Sequence, residues 1–331
     1  MQSMRIVQWR LSIALCVLVL PVAAQVPILL DTDIAPDCDD AGAVAILHAL
    51  ADRGEARVLG MATCTLNRGA APTLDAINTY YGRPEIPIGG IKGELTGPPR
   101  DSAYTEYIAK NFPNRLRDGL NATEAVRLYR EILSRQPDQS VTFVAIGWLT
   151  NLKNLLQSPA DSVSPLSGRD LVAAKVKTLV DMCPKIDPPC KGWNFEQDPV
   201  SARFVVENWP GQIVFSPKEI CWAMTGGRLK ETPQTNPVRK AYELWLAKND
   251  SGASTRHSAD LTAMLYAIRG LGGYWTAATG GHLEVRPDGF SQCLSSPIGR
   301  QSYLVKKMSF EGLARELDEL LIQPPASRKQ K

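Results

Sequence analysis

Apolar and polar positions along the chain follow two alternating rhythms. Val26–Leu30 is a short continuous apolar run stopped by Asp31, the pattern of a strand buried on both faces. Ala41–Leu50 is longer and rich in Ala, Ile and Leu, which predicts a helix. Arg57–Cys64 predicts a second strand. Pro72–Tyr81 predicts a second helix, stopped by Gly82 and Pro84, and Ile86–Gly89 a short third strand. A helix is expected over Thr123–Ser134 with Asn121 or Thr123 as its cap. Strand Val141–Ile146, a helix beginning within Gly147–Gln157, strand Val176–Met182, helix Pro199–Asn208 and strand Gln212–Phe215 come next. This alternation argues for an α/β fold, a doubly wound and mostly parallel sheet with helices on both faces.

The second half turns more helical, with Asn236–Lys248, Ser258–Arg269 and a final helix over Phe310–Leu321. Gly90–Asn114 is dense in Gly, Pro and polar residues and reads as a long loop, the kind that serves as a lid. No repeat or linker divides the chain. The expectation is one catalytic domain over residues 25–323, with a frayed polar tail over 324–331.

The amino terminus changes the picture of where the protein works. Arg5 and Arg10 precede the apolar stretch Leu11–Leu20, which is too short to span a bilayer, and Val22-Ala23-Ala24 offers small residues for cleavage before Gln25. Met1–Ala24 therefore reads as a secretory signal, with an uncleaved anchor as the alternative, and predicts a periplasmic or secreted protein free of the membrane after cleavage. The 37 basic and 34 acidic side chains give a formal charge of only +3, and two of those positives lie in the signal. A near-neutral mature chain without a basic stripe is a poor partner for a nucleic-acid polymer. Six cysteines remain after cleavage; Cys183 and Cys190, close together among Pro184, Pro188 and Pro189, are the best candidate disulfide, with free buried thiols as the alternative.

The segment Asp31-Thr32-Asp33-Ile34-Ala35-Pro36-Asp37-Cys38-Asp39-Asp40 carries the chemistry. Five carboxylates fall within ten residues, just past an apolar strand, where doubly wound sheets place their ligands. Crowded carboxylates repel one another, and a hard divalent cation with oxygen ligands relieves that repulsion, calcium or magnesium rather than zinc. One carboxylate left free can then act as a base on a metal-bound water. An acidic turn that merely caps the next helix accounts for two aspartates at most. An EF-hand loop lacks its Gly and Glu here, whereas an aspartyl-nucleophile phosphatase with a DxD pair remains an alternative.

These residues resemble the inosine-uridine-preferring nucleoside hydrolase family. Val26–Leu30 followed by Asp31-Thr32-Asp33 and then Asp39-Asp40-Ala41 looks like its amino-terminal aspartate motif, with two extra residues before the pair. Leu59–Asn67, Val144–Asn151, Trp193-Asn194 with Asp198-Pro199, and Asp260 opening an Ala-rich helix resemble later blocks, in family order. The resemblance implies a Rossmann-like fold and hydrolysis of the N-glycosidic bond of a nucleoside or related ribosyl compound. It implies one Ca²⁺ held by Asp33, Asp40, the Ile146 carbonyl and Asp260. Asp33 would also serve as general base toward the metal-bound water, and Asp39, Asn67 and Asn194 would bind the ribose hydroxyls. Asp31 and Asn151 would orient and brace their neighbours. Family members are commonly homo-oligomers, which the resemblance extends to this chain.

The chain departs from the pattern at two places. Ala259 stands where members carry a His that protonates the leaving base, and His257, three residues before Asp260, is the candidate substitute. Gly192 stands where many members carry an acid toward the sugar's 5′ end. Trp148, Trp193 and Trp222 are candidates to stack on a base, or ordinary packing residues. These departures keep open a third function, a calcium-dependent binder of ribosyl ligands without catalysis.

Overall fold

The structure is a computed structural model and describes residues 24–93, 102–295 and 299–326. The expected signal, apart from Ala24, and the tail from residue 327 onward lie outside the described residues. The strands are β1 (Val26–Thr32), β2 (Ala56–Thr63), β3 (Ile88–Gly90), β4 (Thr123–Glu124), β5 (Val141–Ala145), β6 (Val176–Cys183), β7 (Cys190–Lys191), β8 (Gln212–Pro217), β9 (Met224–Thr225), β10 (Arg256–His257), β11 (Trp275–Thr279), β12 (Gly281–Val285), β13 (Phe290–Ser295) and β14 (Gln301–Lys306). The helices are α1 (Asp39–Asp52), α2 (Ala70–Tyr80), α3 (Thr105–Asn111), α4 (Ala125–Leu133), α5 (Thr150–Gln157), α6 (Gly168–Lys175), α7 (Trp193–Gln197), α8 (Pro199–Asn208), α9 (Pro237–Asn249), α10 (Ala259–Arg269) and α11 (Phe310–Leu321).

Nine strands form one sheet in the order β11-β14-β8-β6-β5-β1-β2-β3-β4. Every neighbouring pair is parallel except β11 with β14. The chain lays β1 to β4 outward in one direction, then returns to the other side of β1 for β5, β6 and β8. Strand order therefore reverses between β1 and β5, and a crevice opens there beyond the carboxyl ends of the strands. Asp31 of β1 lies at that point, paired with Ala62 of β2 and Ala145 of β5.

One apolar core lies on each face of the sheet. The first packs α1, α2, α9, α10 and α11 against residues such as Leu30, Val144, Val180 and Val214. The second packs α4, α5, α6 and α8 against Leu29, Phe143, Leu179 and Phe215. α1 is buried from Asp39 to Leu50, so beyond its two opening aspartates its sequence is apolar around the helix, His48 apart, rather than amphipathic. α4 and α11, by contrast, each pack one apolar stripe on the core.

Several expectations are corrected. Thr123 and Glu124 form the edge strand β4, and the Glu124 carboxylate, not Asn121 or Thr123, caps α4 by accepting from the Val126 and Arg127 amides at 3.1 and 2.7 Å. The expected loop Gly90–Asn114 contains α3. The helix expected from Gly147 begins only at Thr150. Residues 275–306 hold four strands that the hydrophobic pattern did not predict, two of them completing the large sheet and two forming a ribbon with β7. Cys183 and Cys190 are free thiols, as are the other four described cysteines; the Cys183 thiol donates instead to the Pro184 carbonyl at 3.2 Å. Among the described residues no helix is long and apolar enough to cross a membrane.

Candidate active site

A cavity of about 460 Å³ opens at the switch point, within the range of small-molecule sites. It is reached by the β1–α1 loop, the end of β5, the β6–α7 connection, the turn after β8, α9, and the start of α10. The β1–α1 loop is held by its own polar groups: the Ile34 amide donates to Thr32 Oγ1 at 3.0 Å, and the same hydroxyl donates to Asp40 Oδ1. Gly147 lets the end of β5 approach this loop. A Cβ there would lie 2.6 Å from the Asp33 nitrogen and 2.9 Å from the Asp33 Cβ, so a larger residue would displace Asp33.

The acidic pair at the start of α1 does not cap its own helix, since no side chain accepts a cap hydrogen bond there. Asp39 instead reaches across to α10, where its Oδ2 accepts from the Ala259 and Asp260 amides at 3.1 and 3.3 Å. The amino-terminal dipole of α10 favours a carboxylate at that position. Asp260 therefore does not cap α10; Asp39 does, and the Asp260 side chain is left for the cavity. Gly42 permits the close crossing behind this contact, since a Cβ there would meet the Tyr242 hydroxyl at 2.5 Å and Leu261 Cδ1 at 2.9 Å.

The result is a cluster drawn from both ends of the chain. One carboxylate oxygen each from Asp39, Asp40 and Asp260 lie within 4.8 Å of one another. Asp33 lines the same cavity beside Asp40 and the Trp193 side chain, outside that closest group of three. All four are at most 5% exposed. Burial, followed by mutual repulsion, pushes Asp39, Asp40 and Asp260 well above the usual carboxylate range. Burial likewise lifts Asp33 to about 7, partly offset by the Trp193 contact. Arg256 lines the same cavity, but two of its nitrogens are spent on Asp37, with Nε 3.1 Å from both carboxylate oxygens. An all-oxygen donor set, buried, convergent and short of positive charge, fits a hard divalent cation.

Asp31 stands behind the cluster and is not in the cavity lining. Its Oδ2 accepts from the Tyr129 hydroxyl and from Asn151 Nδ2 at 2.8 Å, and burial raises its pKa to about 7. Asn151 also donates to the Thr63 carbonyl at 3.1 Å, which ties β1, β2 and α5 together. Asn194 and the Ile146 carbonyl both line the cavity, and Asn194 Nδ2 donates to that carbonyl at 3.0 Å, leaving the oxygen a second lone pair. Asn67 stands outside the lining. Its Oδ1 accepts from the Gly69 amide and the Thr105 hydroxyl, both at 2.9 Å, and so joins the start of α2 to α3.

His257 lines the cavity from β10 rather than from a helix. Its Nδ1 lies 3.8 Å from Asp39 Oδ2, and its ring meets Trp222 edge-on at 6.0 Å. Burial first, then the adjacent Arg256 charge, lowers its pKa to about 4, so the ring is neutral at pH 7. Trp148 is buried, whereas Trp193 is 41% exposed and lines the cavity. Three cavity residues carried no local signal in the sequence: Lys218, Arg256 and Trp245. Arg256 lies over the Trp245 ring at 4.3 Å, and the Trp245 indole donates to the Pro36 carbonyl at 2.7 Å.

The fold and this cavity define an α/β protein with a carboxylate-lined pocket at the switch point of a mostly parallel sheet. The family model described as inosine-uridine preferring nucleoside hydrolase matches residues 28–293. The chain belongs to that family, whose members are N-glycosyl hydrolases. Its fold is similar to a plant nucleoside hydrolase at 20% identity, covering 90% of this chain and 99% of that one with a TM-score of 0.64. It is similar to the purine-preferring ribonucleoside hydrolase of Gardnerella vaginalis at 16% identity, 89% and 98% coverage and a TM-score of 0.66. It is also similar to the type III effector XopQ, solved with adenosine diphosphate ribose, at 16% identity, 92% and 94% coverage and a TM-score of 0.66. No curated protein sequence matches the chain.

Proposed function

We propose that this protein is an exported, calcium-dependent hydrolase of the N-glycosidic bond in a ribonucleoside or closely related ribosyl compound. The observation that carries the reading is the convergence of four buried carboxylates, from the end of β1, the start of α1 and the start of α10, on one cavity at the switch point. Asp33, Asp40, Asp260 and the Ile146 carbonyl would hold the ion. When bound, a divalent cation lets the carboxylates ionise together and acidifies the attacking water.

Asp33 is the general base. The Trp193 and Asp40 contacts hold its carboxylate in place, and it takes the proton of the water that attacks the anomeric carbon. Asp39, fixed by two α10 amides, and Asn194, fixed on the Ile146 carbonyl, present an acceptor and an amide to the ribose hydroxyls. Asn67, outside the cavity lining, braces the start of α2 against α3 rather than meeting the ribose. The carboxylates also stabilise the positive charge that develops on the sugar as the C–N bond breaks. His257, neutral at pH 7, faces the departing base as a hydrogen-bonding imidazole rather than as an imidazolium acid. The family's N-glycosyl hydrolase chemistry sets the aspartyl-phosphatase alternative aside.

A nucleoside panel assayed for free base, with calcium and with chelator, tests the reading. Base release that needs calcium and falls by at least about a hundredfold in Asp33→Asn supports it. Calcium binding without turnover of any ribosyl compound would assign the chain to the non-catalytic binders instead. Export is tested separately by sequencing the amino terminus of the mature protein, which is expected to begin at Gln25.

A further inference from the structure

The cavity is charged in two layers. Its deepest residues are the carboxylates Asp33, Asp39, Asp40 and Asp260, each nearly or fully buried. Its partly exposed residues include two cations, Lys218 and Arg256. Lys218 opens the short turn Lys218–Ile220 after β8. Among the described residues its side chain makes no hydrogen bond and no ion pair; only its backbone carbonyl accepts, from the Cys221 amide. Arg256 commits Nε and Nη2 to Asp37 and lies over the Trp245 ring at 4.3 Å; Nη1 has no hydrogen-bond partner among the described residues.

Asp37 pairs with Arg256, so Lys218 stands without an ion-pair partner at the partly exposed part of a ligand cavity. A neutral nucleoside gives it nothing to bind: the deep carboxylates and Asn194 suffice for the pentose hydroxyls. Lys218, Arg256 and His257 all line this one cavity.

We infer that the cavity takes a ribosyl ligand carrying a phosphate group, and that Lys218 with the free Nη1 of Arg256 forms its anion subsite. The inference rests on the proposed ribosyl chemistry and adds the substrate class. A phosphate monoester carries close to two negative charges at pH 7 and three acceptor oxygens, which suit a lysine point charge beside a guanidinium N–H. Nothing acidic lies on the stretch of wall formed by Pro184 and Gly192, where a Cβ on Gly192 would meet Pro184 at 2.5 Å.

The test compares inosine 5′-monophosphate with inosine as substrates, and ribose 5-phosphate with ribose as ligands by calorimetry, in the parent, Lys218→Met and Lys218→Arg proteins with calcium present. The expected result is a kcat/KM preference for the monophosphate, and tighter binding of ribose 5-phosphate than of ribose. Both preferences fall about tenfold or more in Lys218→Met, stay largely intact in Lys218→Arg, and weaken with added salt. Equal handling of phosphorylated and unphosphorylated ligands, or a preference that Lys218→Met leaves unchanged, overturns the inference. Should no substrate be hydrolysed, the proposed catalysis fails, and the calorimetric comparison still decides whether the anion subsite exists.

Discussion

Replacing Asp260 by Asn should raise stability in the absence of a divalent cation and largely remove the gain that the cation brings. The change removes one carboxylate from a buried group whose oxygens lie within 4.8 Å of one another. At that separation and an effective dielectric of about 20, each ionised pair costs about 3 kcal/mol. Proton uptake by the cluster relieves part of this, because burial and repulsion already push these groups well above the usual carboxylate range. In chelator at pH 8, Asp260→Asn is therefore expected to be more stable than the parent by about 1–3 kcal/mol, at roughly 2–4 °C of Tm per kcal/mol. With calcium at a hundred times the parent's Kd, the parent gains about 2.7 kcal/mol by linkage. A variant with about a hundredfold weaker affinity gains only about 0.4 kcal/mol at the same concentration. Differential scanning calorimetry in chelator and across a calcium series reads both arms. A variant less stable than the parent in chelator, with the same calcium response, would refute the reasoning that the cluster is a like-charge site awaiting a cation.

Two further outcomes follow from buried polar groups away from the cation. His48 is fully buried, stacked on Tyr81 at 4.8 Å, and donates from Nε2 to Asn78 Oδ1 at 2.8 Å; burial, then Arg83, lowers its pKa from 6.5 to about 3. Its stabilising contribution is complete above pH 6.5 and is lost as pH falls toward 3, by about 2 kcal/mol at pH 5, so urea titrations of His48→Gln at pH 7 and pH 5 should lose less stability than the parent; equal losses would contradict this. Tyr129→Phe removes one of the two donors on Asp31 Oδ2 and should cost about 1–3 kcal/mol by denaturant midpoint, with no cost contradicting the role given to that hydroxyl.

The central elements were legible because double burial leaves its mark on short stretches of sequence. β1 and β5 carry short, mostly apolar runs, and α1 is apolar over most of its length, as an enclosed helix is, with Asp39, Asp40 and His48 as buried polar exceptions. The strands β11 to β14 were not legible: they are short and partly exposed, with polar residues on both faces, so no apolar run marks them. Helix α3 was hidden in a segment whose composition reads as loop. The aspartate cluster was visible as a local concentration of charge, but its completion was not, because the Asp39–Asp260 contact spans 221 positions and only the resemblance to a family supplied it. That resemblance said nothing of Asp39 as the cap of α10, nor of the Asp37–Arg256 pair and the lone Lys218 at the outer cavity. Each depends on a loop docking across the sheet, which no local pattern encodes.

The most direct test of the account is a count of bound calcium against hydrolytic activity. Protein stripped with chelator and titrated with Ca²⁺ should take up one ion per chain, with base release rising in proportion to occupancy, and Asp40→Asn should lose both together. Base release that persists at full rate in the stripped protein, or an ion that binds equally well to Asp40→Asn, would contradict it.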